Sequence, residues 1–231
     1  MKVAIMQPYL FPYIGYFQLI MSSDIFVIYD DVNYIKKGFI NRNSILLDGT
    51  PYRFTISVPS ASQNKLINEL QYSQEIEKLL KTIESAYIKA PFFKQVFPII
   101  EDILNYQSRG IAELCKFSYQ KIFDYLGLEK KIILSSILDY NRIQSASNKL
   151  LEITKKLNGQ VYINSPGGRM LYDKTMFEPF GVKLKFIEPI VKPYIQLNTE
   201  NFIPYLSIID ILMNNDKKTV VDYMFDFSLL D

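Results

Sequence analysis

The chain has 231 residues, a formal net charge of +2, no histidine and a single cysteine. That length can bury a sizeable core as one large domain, and a near-balanced charge without a basic tail or stripe argues against nucleic acid as the main partner. The missing histidines exclude Ser-His-Asp and Cys-His mechanisms and His-rich zinc sites, and one cysteine cannot form an internal disulfide, which predicts a reducing, cytoplasmic setting.

Val3 to Met6 is an apolar run that reads as a strand. Gln7-Pro8-Tyr9-Leu10-Phe11-Pro12-Tyr13-Ile14-Gly15-Tyr16 follows as a punctuated turn, then a helix over Tyr16 to Met21. Asp24 leads into a second strand, Ile25 to Ile28, which runs straight into Tyr29-Asp30-Asp31. A strand–turn–helix–strand unit with polar groups at both strand ends predicts a site at the carboxyl edge of a parallel sheet. Gln7, Pro8, Pro12 and Gln18 interrupt the apolar N-terminal stretch, so neither a signal peptide nor a membrane span is expected.

Asn33 to Arg42, rich in Lys, Asn and Gly, reads as a loop over the sheet edge. Ser44 to Leu47 and Tyr52 to Val58 flank Asp48-Gly49, which predicts a hairpin, with Thr50-Pro51 extending its loop beyond two residues. From 73 to 127 the pattern turns helical. Ile76, Leu79, Leu80, Ile83 and Tyr87 share one helix face, Phe92 to Tyr106 forms a second helix containing Pro98, and Ile111 to Leu126 a third, stopped by Gly127. With no strand between them, these helices are expected as an insertion or cap within a single α/β domain spanning 1–231. Cys115 falls on the apolar face of the third helix and reads as a small buried residue.

The alternation then returns: a strand at Ile132 to Leu134, a helix from Ser145 to Leu157, a strand at Val161 to Ile163, and the turn Asn164-Ser165-Pro166-Gly167-Gly168-Arg169. A short helix over Leu171 to Phe180, a strand over Val182 to Ile187 and a helix over Phe202 to Met213 complete the pattern. The expected fold class is α/β, a Rossmann-like parallel sheet with a β-hairpin and a helical insertion.

Four constellations carry candidate chemistry. In the first turn, Pro8 and Pro12 stiffen the chain, Gly15 permits close backbone approach, and the following helix offers free N–H groups to an anion. Phe-Pro-Tyr-Ile-Gly-Tyr is similar, position by position, to the H-x-G-H signature of adenine nucleotidyltransferases, with Tyr13 and Tyr16 in the histidine places. Phenols donate to phosphate but are poor acids near neutrality, so the turn binds more than it protonates. Asp30 and Asp31 could hold Mg²⁺ with a phosphate or orient an amine; strand alternation turns only one of them to the cleft. Lys36, Lys37, Asn41, Arg42 and Asn43 concentrate cations and amides suited to a carboxylate or phosphate. Ser165, Gly167 and Gly168 offer successive amides to a second anion. Near the C-terminus, Asp210 reads as a buried partner for one of the cations.

Over nearly its full length the chain resembles the WbqC-like protein family. The residues that carry the resemblance are Gln7 to Tyr16, Asp24 to Val27, Tyr29 to Val32, Asn41-Arg42-Asn43, Ala86 to Phe93, Tyr162 to Gly168 and Leu206 to Leu212. Where typical members carry Trp and His ahead of Ala86-Tyr87, this chain has Ile76 and Leu79. The resemblance implies a component of surface-polysaccharide (O-antigen) assembly. Joined to the first turn, it suggests acyl or aminoacyl transfer to a nucleotide-linked amino sugar. Asp30, Asp31, Lys36 and Arg42 would be catalytic, and Gln7, Tyr13, Gly15, Tyr16, Asn41, Asn43, Ser165, Gly167 and Gly168 would bind substrate or nucleotide. ATP with Mg²⁺, or CoA, are the cofactors left open. A nucleotidyltransferase-like reaction without acyl transfer, or a non-catalytic nucleotide-sugar-binding assembly protein, are the alternatives.

Overall fold

A computed structural model describes residues 1–231. In chain order the elements are β1 (Lys2–Met6), α1 (Ile14–Ser22), β2 (Ile25–Ile28), β3 (Arg42–Leu47), β4 (Thr50–Thr55), α2 (Glu77–Tyr87), α3 (Phe93–Leu104) and α4 (Ile111–Leu126). They continue with β5 (Lys131–Leu134), α5 (Ala146–Lys156), β6 (Val161–Asn164), β7 (Lys183–Pro189), α6 (Ile208–Asn214), α7 (Lys217–Met224) and β8 (Phe227–Leu230). Six strands form one sheet in the order β5-β2-β1-β6-β7-β8, while β3 and β4 pair only with each other. Every neighbour pair in the large sheet is parallel except β7–β8.

The chain lays strands outward from β1 to β5, then crosses back and builds on the other side of β1. The gap between β1 and β6 is therefore a topological switch point, where two loops leave the carboxyl edge in opposite directions. The register aligns Met6 with Ile28 and Ile28 with Leu134, so Asp30 leaves β2 level with Ser136.

Strands covered on both faces read as uninterrupted apolar runs, which is why β1 and β2 were legible. Along β2, Phe26 and Ile28 enter the main core with α1, α2, α3, α4, α6 and α7. Ile25 and Val27 enter a smaller core under α5 on the opposite face. The three helices of 77–126 thus share the main core with the sheet. Helix α1 lies deep within it, and even Gln18 is wholly buried, its amide donating to the carbonyls of Ile190 and Tyr223, both at 2.8 Å. Helix α5 opens on Ser145, whose hydroxyl accepts from the Asn148 N–H, and α4 stops at Gly127 with φ +71°.

Four expectations are corrected. The hairpin turn is only Asp48-Gly49, with φ of +49° and +74°; Thr50 and Pro51 already pair with Leu47 and Leu46. Two left-handed residues match the strand twist, so no longer loop is needed. The helix expected over Leu171 to Phe180 is two short 3-10 turns, Lys174–Met176 and Glu178–Phe180, because Asp173 caps the Thr175 N–H and Pro179 removes a donor. The helix expected from Phe202 starts at Ile208: Pro204 and Tyr205, at φ +62°, break the run, and the Ser207 hydroxyl caps the Ile209 N–H. Beyond them, α7 and the antiparallel strand β8 lie where no element was expected. No helix is long and apolar enough to cross a membrane.

Candidate functional site

The turn after β1 is pinned from four directions. The Tyr119 hydroxyl accepts from the Tyr9 N–H at 3.0 Å and donates to the Tyr9 carbonyl at 2.7 Å. The Tyr16 hydroxyl donates to the Gln7 carbonyl at 2.7 Å. The Asn43 amide and the Ser207 hydroxyl both donate to the Phe11 carbonyl, and the Ile208 N–H bonds the Pro12 carbonyl. Phe11 is fully buried at φ +48°, immediately before Pro12. A bulky residue in that conformation persists only where its surroundings over-determine it, and these bonds do so.

Within this turn, Tyr16 is buried and its hydroxyl is spent on Gln7. Tyr13 immediately precedes α1 without capping it, and its ring lies where a Cβ on Gly15 would stand, against an edge of Tyr205. Gly15 is therefore required by the packing of Tyr13. Asn41 accepts from the Tyr34 hydroxyl and donates to the Ile56 carbonyl, while Arg42 Nε donates to Gly38 of its own loop. Lys36 and Lys37 are exposed. At the switch point, Asn164 Oδ1 accepts from the Ser165 N–H, and Gly168 packs against the Asn164 amide so closely that a Cβ would displace it. Gly167 has open space around it.

Asp30 and Asp31 diverge. Both are buried, and they share the Ser135 hydroxyl, which also accepts from the Asp30 N–H. One hydroxyl has one proton, so it serves one carboxylate at a time. Asp31 also accepts from the Tyr140 hydroxyl at 2.8 Å and from Arg142 Nε at 2.7 Å. The Arg142 guanidinium spends its other donors on the carbonyls of Ser136, Leu138 and Tyr140 and stands 4.6 Å from the centre of the Tyr140 ring. Asp31 therefore clamps the loop after β5. Beside it, burial and the Asp31 charge push the Tyr29 phenol up to about 12.

Asp30 accepts from the Ser136 N–H at 2.9 Å through Oδ1 and from the Ser136 hydroxyl at 2.7 Å through Oδ2. It also lines a crevice of about 220 Å³ with Glu69, Glu113, Asn68, Gln71 and Ser136. Three carboxylates and no cation line this space. Glu69 bonds the Leu66 N–H through Oε2, and Glu113 bonds the Ser108 hydroxyl through Oε2, so each keeps a second oxygen. The arrangement favours a ligand with an ammonium group or several hydroxyls.

The structure thus brings the first turn, Asn43, Asp30 and Asp31 to one sheet edge, but joins no Lys36, Lys37 or Arg42 contact to the aspartates. The cation paired with Asp31 is Arg142. Ser135, Ser136, Tyr140, Arg142, Glu69, Glu113 and Tyr119 escaped the sequence reading. The carboxyl-edge rule applied to the strand at Ile132 to Leu134 would have found Ser135 and Ser136. Asp210, expected to meet a cation, instead accepts from Tyr87 at 2.8 Å, Tyr194 at 2.6 Å and Gln196 at 2.9 Å, all neutral donors. Burial raises its carboxyl, and the three bonds work against that rise. Cys115 is buried as expected, its thiol pushed up to about 12.

A sequence model of the WbqC-like protein family matches residues 7–222. The chain is 26% identical over 226 residues to the uncharacterized protein Rv1507c of Mycobacterium tuberculosis, an alignment covering 92% of this chain and 93% of that protein. No solved structure matches.

Proposed function

Because the chain belongs to the WbqC-like protein family, we propose that it is a transferase of surface-polysaccharide (O-antigen) assembly, passing an acyl or aminoacyl group to a nucleotide-linked amino sugar. The mostly parallel six-stranded sheet supports this reading, because ligands favour the carboxyl edge of such sheets near a reversal of strand order, here at β1. The observation that carries it is the acidic crevice at Asp30, at the carboxyl end of β2. Its carboxylates draw in an ammonium group and lower the cost of desolvating it. In the reaction the bound ammonium first releases one proton to water, and the neutral amine so formed attacks the acyl carbon of an activated donor, an acyl phosphate or thioester. The N–C bond forms, the bond to phosphate or thiolate breaks with its electron pair, and the amine proton passes to Asp30. In a chain without histidine a carboxylate is the proton acceptor on hand. No group of three or more Asp, Glu or Cys side chains converges as metal ligands.

A second reading, a non-catalytic nucleotide-sugar-binding protein, draws support from Asp31 and Tyr16, whose polar atoms are committed to the fold. Incubation with nucleotide-linked amino sugars and activated acyl donors, followed by mass spectrometry, separates the two. Transferase activity predicts an acylated product, lost in Glu69→Gln and Asp30→Asn while thermal shift by the nucleotide sugar persists. Binding without product in the wild-type protein would sink the transferase reading.

A further inference from the structure

The rim of the first turn carries a second surface that the acidic crevice does not use. Phe39 and Tyr205 are each 68% exposed. The Phe39 ring centre lies 5.6 Å from that of Tyr9, and the Tyr205 ring centre 5.9 Å from that of Tyr13. Burial pushes the Tyr9 phenol up, with the Tyr13 phenol adding to the rise and the Arg53 guanidinium opposing it. Phe39–Tyr9 and Tyr13–Tyr205 form a row of two separate pairs, both rooted in the first turn. Its inner members grow from backbone fixed by Tyr119, Asn43 and Ser207, while its outer members stand in solvent.

Three cations lie toward the Phe39–Tyr9 end of this row. Lys36 and Lys37 share the loop of Phe39, and exposed Arg53 faces Ser44 across the hairpin, within electrostatic reach of Tyr9. None of the three cations forms an ion pair with a carboxylate. Solvated aromatic faces next to unpaired cations suit a ligand that is both flat and anionic. A nucleobase offers a π-face to stack, and a diphosphate offers charge to guanidinium and ammonium groups. An acyl chain would satisfy the rings and leave the cations without a partner.

We propose that the row from Phe39 to Tyr205, with Lys36, Lys37 and Arg53, is a nucleoside-diphosphate subsite. The assignment rests on the proposed function, since it takes the nucleotide end of the substrate whose amine end enters the crevice at Asp30. Recognition is divided by charge: the anionic half lies over the first turn, the cationic half over β2.

Isothermal titration of the intact protein with UDP, ADP and dTDP, with the nucleosides and pyrophosphate alone as controls, tests it. At least one nucleoside diphosphate is expected to bind more tightly than either of its parts. Phe39→Ala and Tyr205→Ala, both at exposed positions, are each expected to weaken that binding by about five- to a hundredfold, the range for losing one aromatic stacking partner. Arg53→Gln is expected to weaken it and flatten its salt dependence. Unchanged affinity in both aromatic variants, or binding of acidic polysaccharide but of no nucleotide, would overturn the assignment. Product formation with unaltered affinity in Phe39→Ala and Tyr205→Ala sinks this subsite alone. Nucleotide binding that both variants weaken, with no product from the wild type, sinks the transferase reading alone.

Discussion

Tyr119→Phe removes one oxygen from a wholly buried residue and tests whether the first turn is held as described. The ring keeps its contacts, 5.9 Å from Phe17 and 5.6 Å from Tyr16 between centroids. What disappears is the hydroxyl that serves both the N–H and the carbonyl of Tyr9. Each lost bond is worth about 1 kcal/mol, and an orphaned buried backbone group costs about 1–3 kcal/mol. Tyr9 is half-buried, so water recovers part of that cost, and the sum is about 3 kcal/mol. For a chain of this size, that lowers Tm by about 6–12 °C. Tyr16→Phe, which gives up only the bond to Gln7, is the internal comparison and should cost about 1 kcal/mol, or about 2–4 °C. Thermal unfolding followed by far-UV circular dichroism, with urea titrations to verify an unchanged m-value, reads both. A Tyr119→Phe protein that melts within about 2 °C of wild type, or above Tyr16→Phe, would refute the claim that this hydroxyl pins the turn.

Three further outcomes follow from buried or strained groups. Arg142→Met strands the Asp31 carboxylate with only hydroxyl donors; because Arg142 is itself partly exposed, the expected loss is about 1–2 kcal/mol, read as a lower Tm, and no change would deny the clamp. Burial raises the Asp210 carboxyl, so the folded chain holds that proton more tightly than the unfolded one. Its contribution to stability is full below about pH 3.9 and is lost as pH rises through the folded value, so Asp210→Asn should flatten that part of the Tm–pH profile. Gly49→Ala places a Cβ at φ +74° against the Asn198 carbonyl and should cost about 2 kcal/mol in urea unfolding; a neutral result would show that the hairpin does not press on that loop.

How much of this was legible depended on whether the determining contact was local. The β1–α1–β2 unit was, because a strand buried on both faces shows its apolar run directly and Asp30-Asp31 ends one such run. The hairpin was legible in place but not in turn length, since Asp48 at positive φ lets Thr50 pair at once. The apolar spacing of Leu171 to Phe180 looked helical, yet the Asp173 cap and Pro179 divided it into separate turns. Residues 202–207 were absorbed into α6 because Pro204 counted for less than the apolar residues around it.

The partners of the aspartate pair mark where local reasoning stops. Arg142 lies 111 residues from Asp31, and Tyr140 109. Nothing in the spacing of Lys36, Lys37 and Arg42 shows that none of them pairs with Asp30 or Asp31; closeness in sequence placed them in one candidate site with the aspartates. The sheet order decides otherwise: β5 docks beside β2, in register to Ile28↔Leu134, and so delivers Ser135, Ser136 and Arg142 to the aspartates. With Arg142 neutralising Asp31, the charge left lining the crevice at that end is Asp30 with Glu69 and Glu113. The basic loop, freed from that role, remains beside the aromatic rings of the first turn. Residues that looked in sequence like one mixed cluster of acids and bases are divided in space into an acidic group and a basic one, and under the proposal made above that separation is what a nucleotide-linked amino sugar, anionic at one end and cationic at the other, would require.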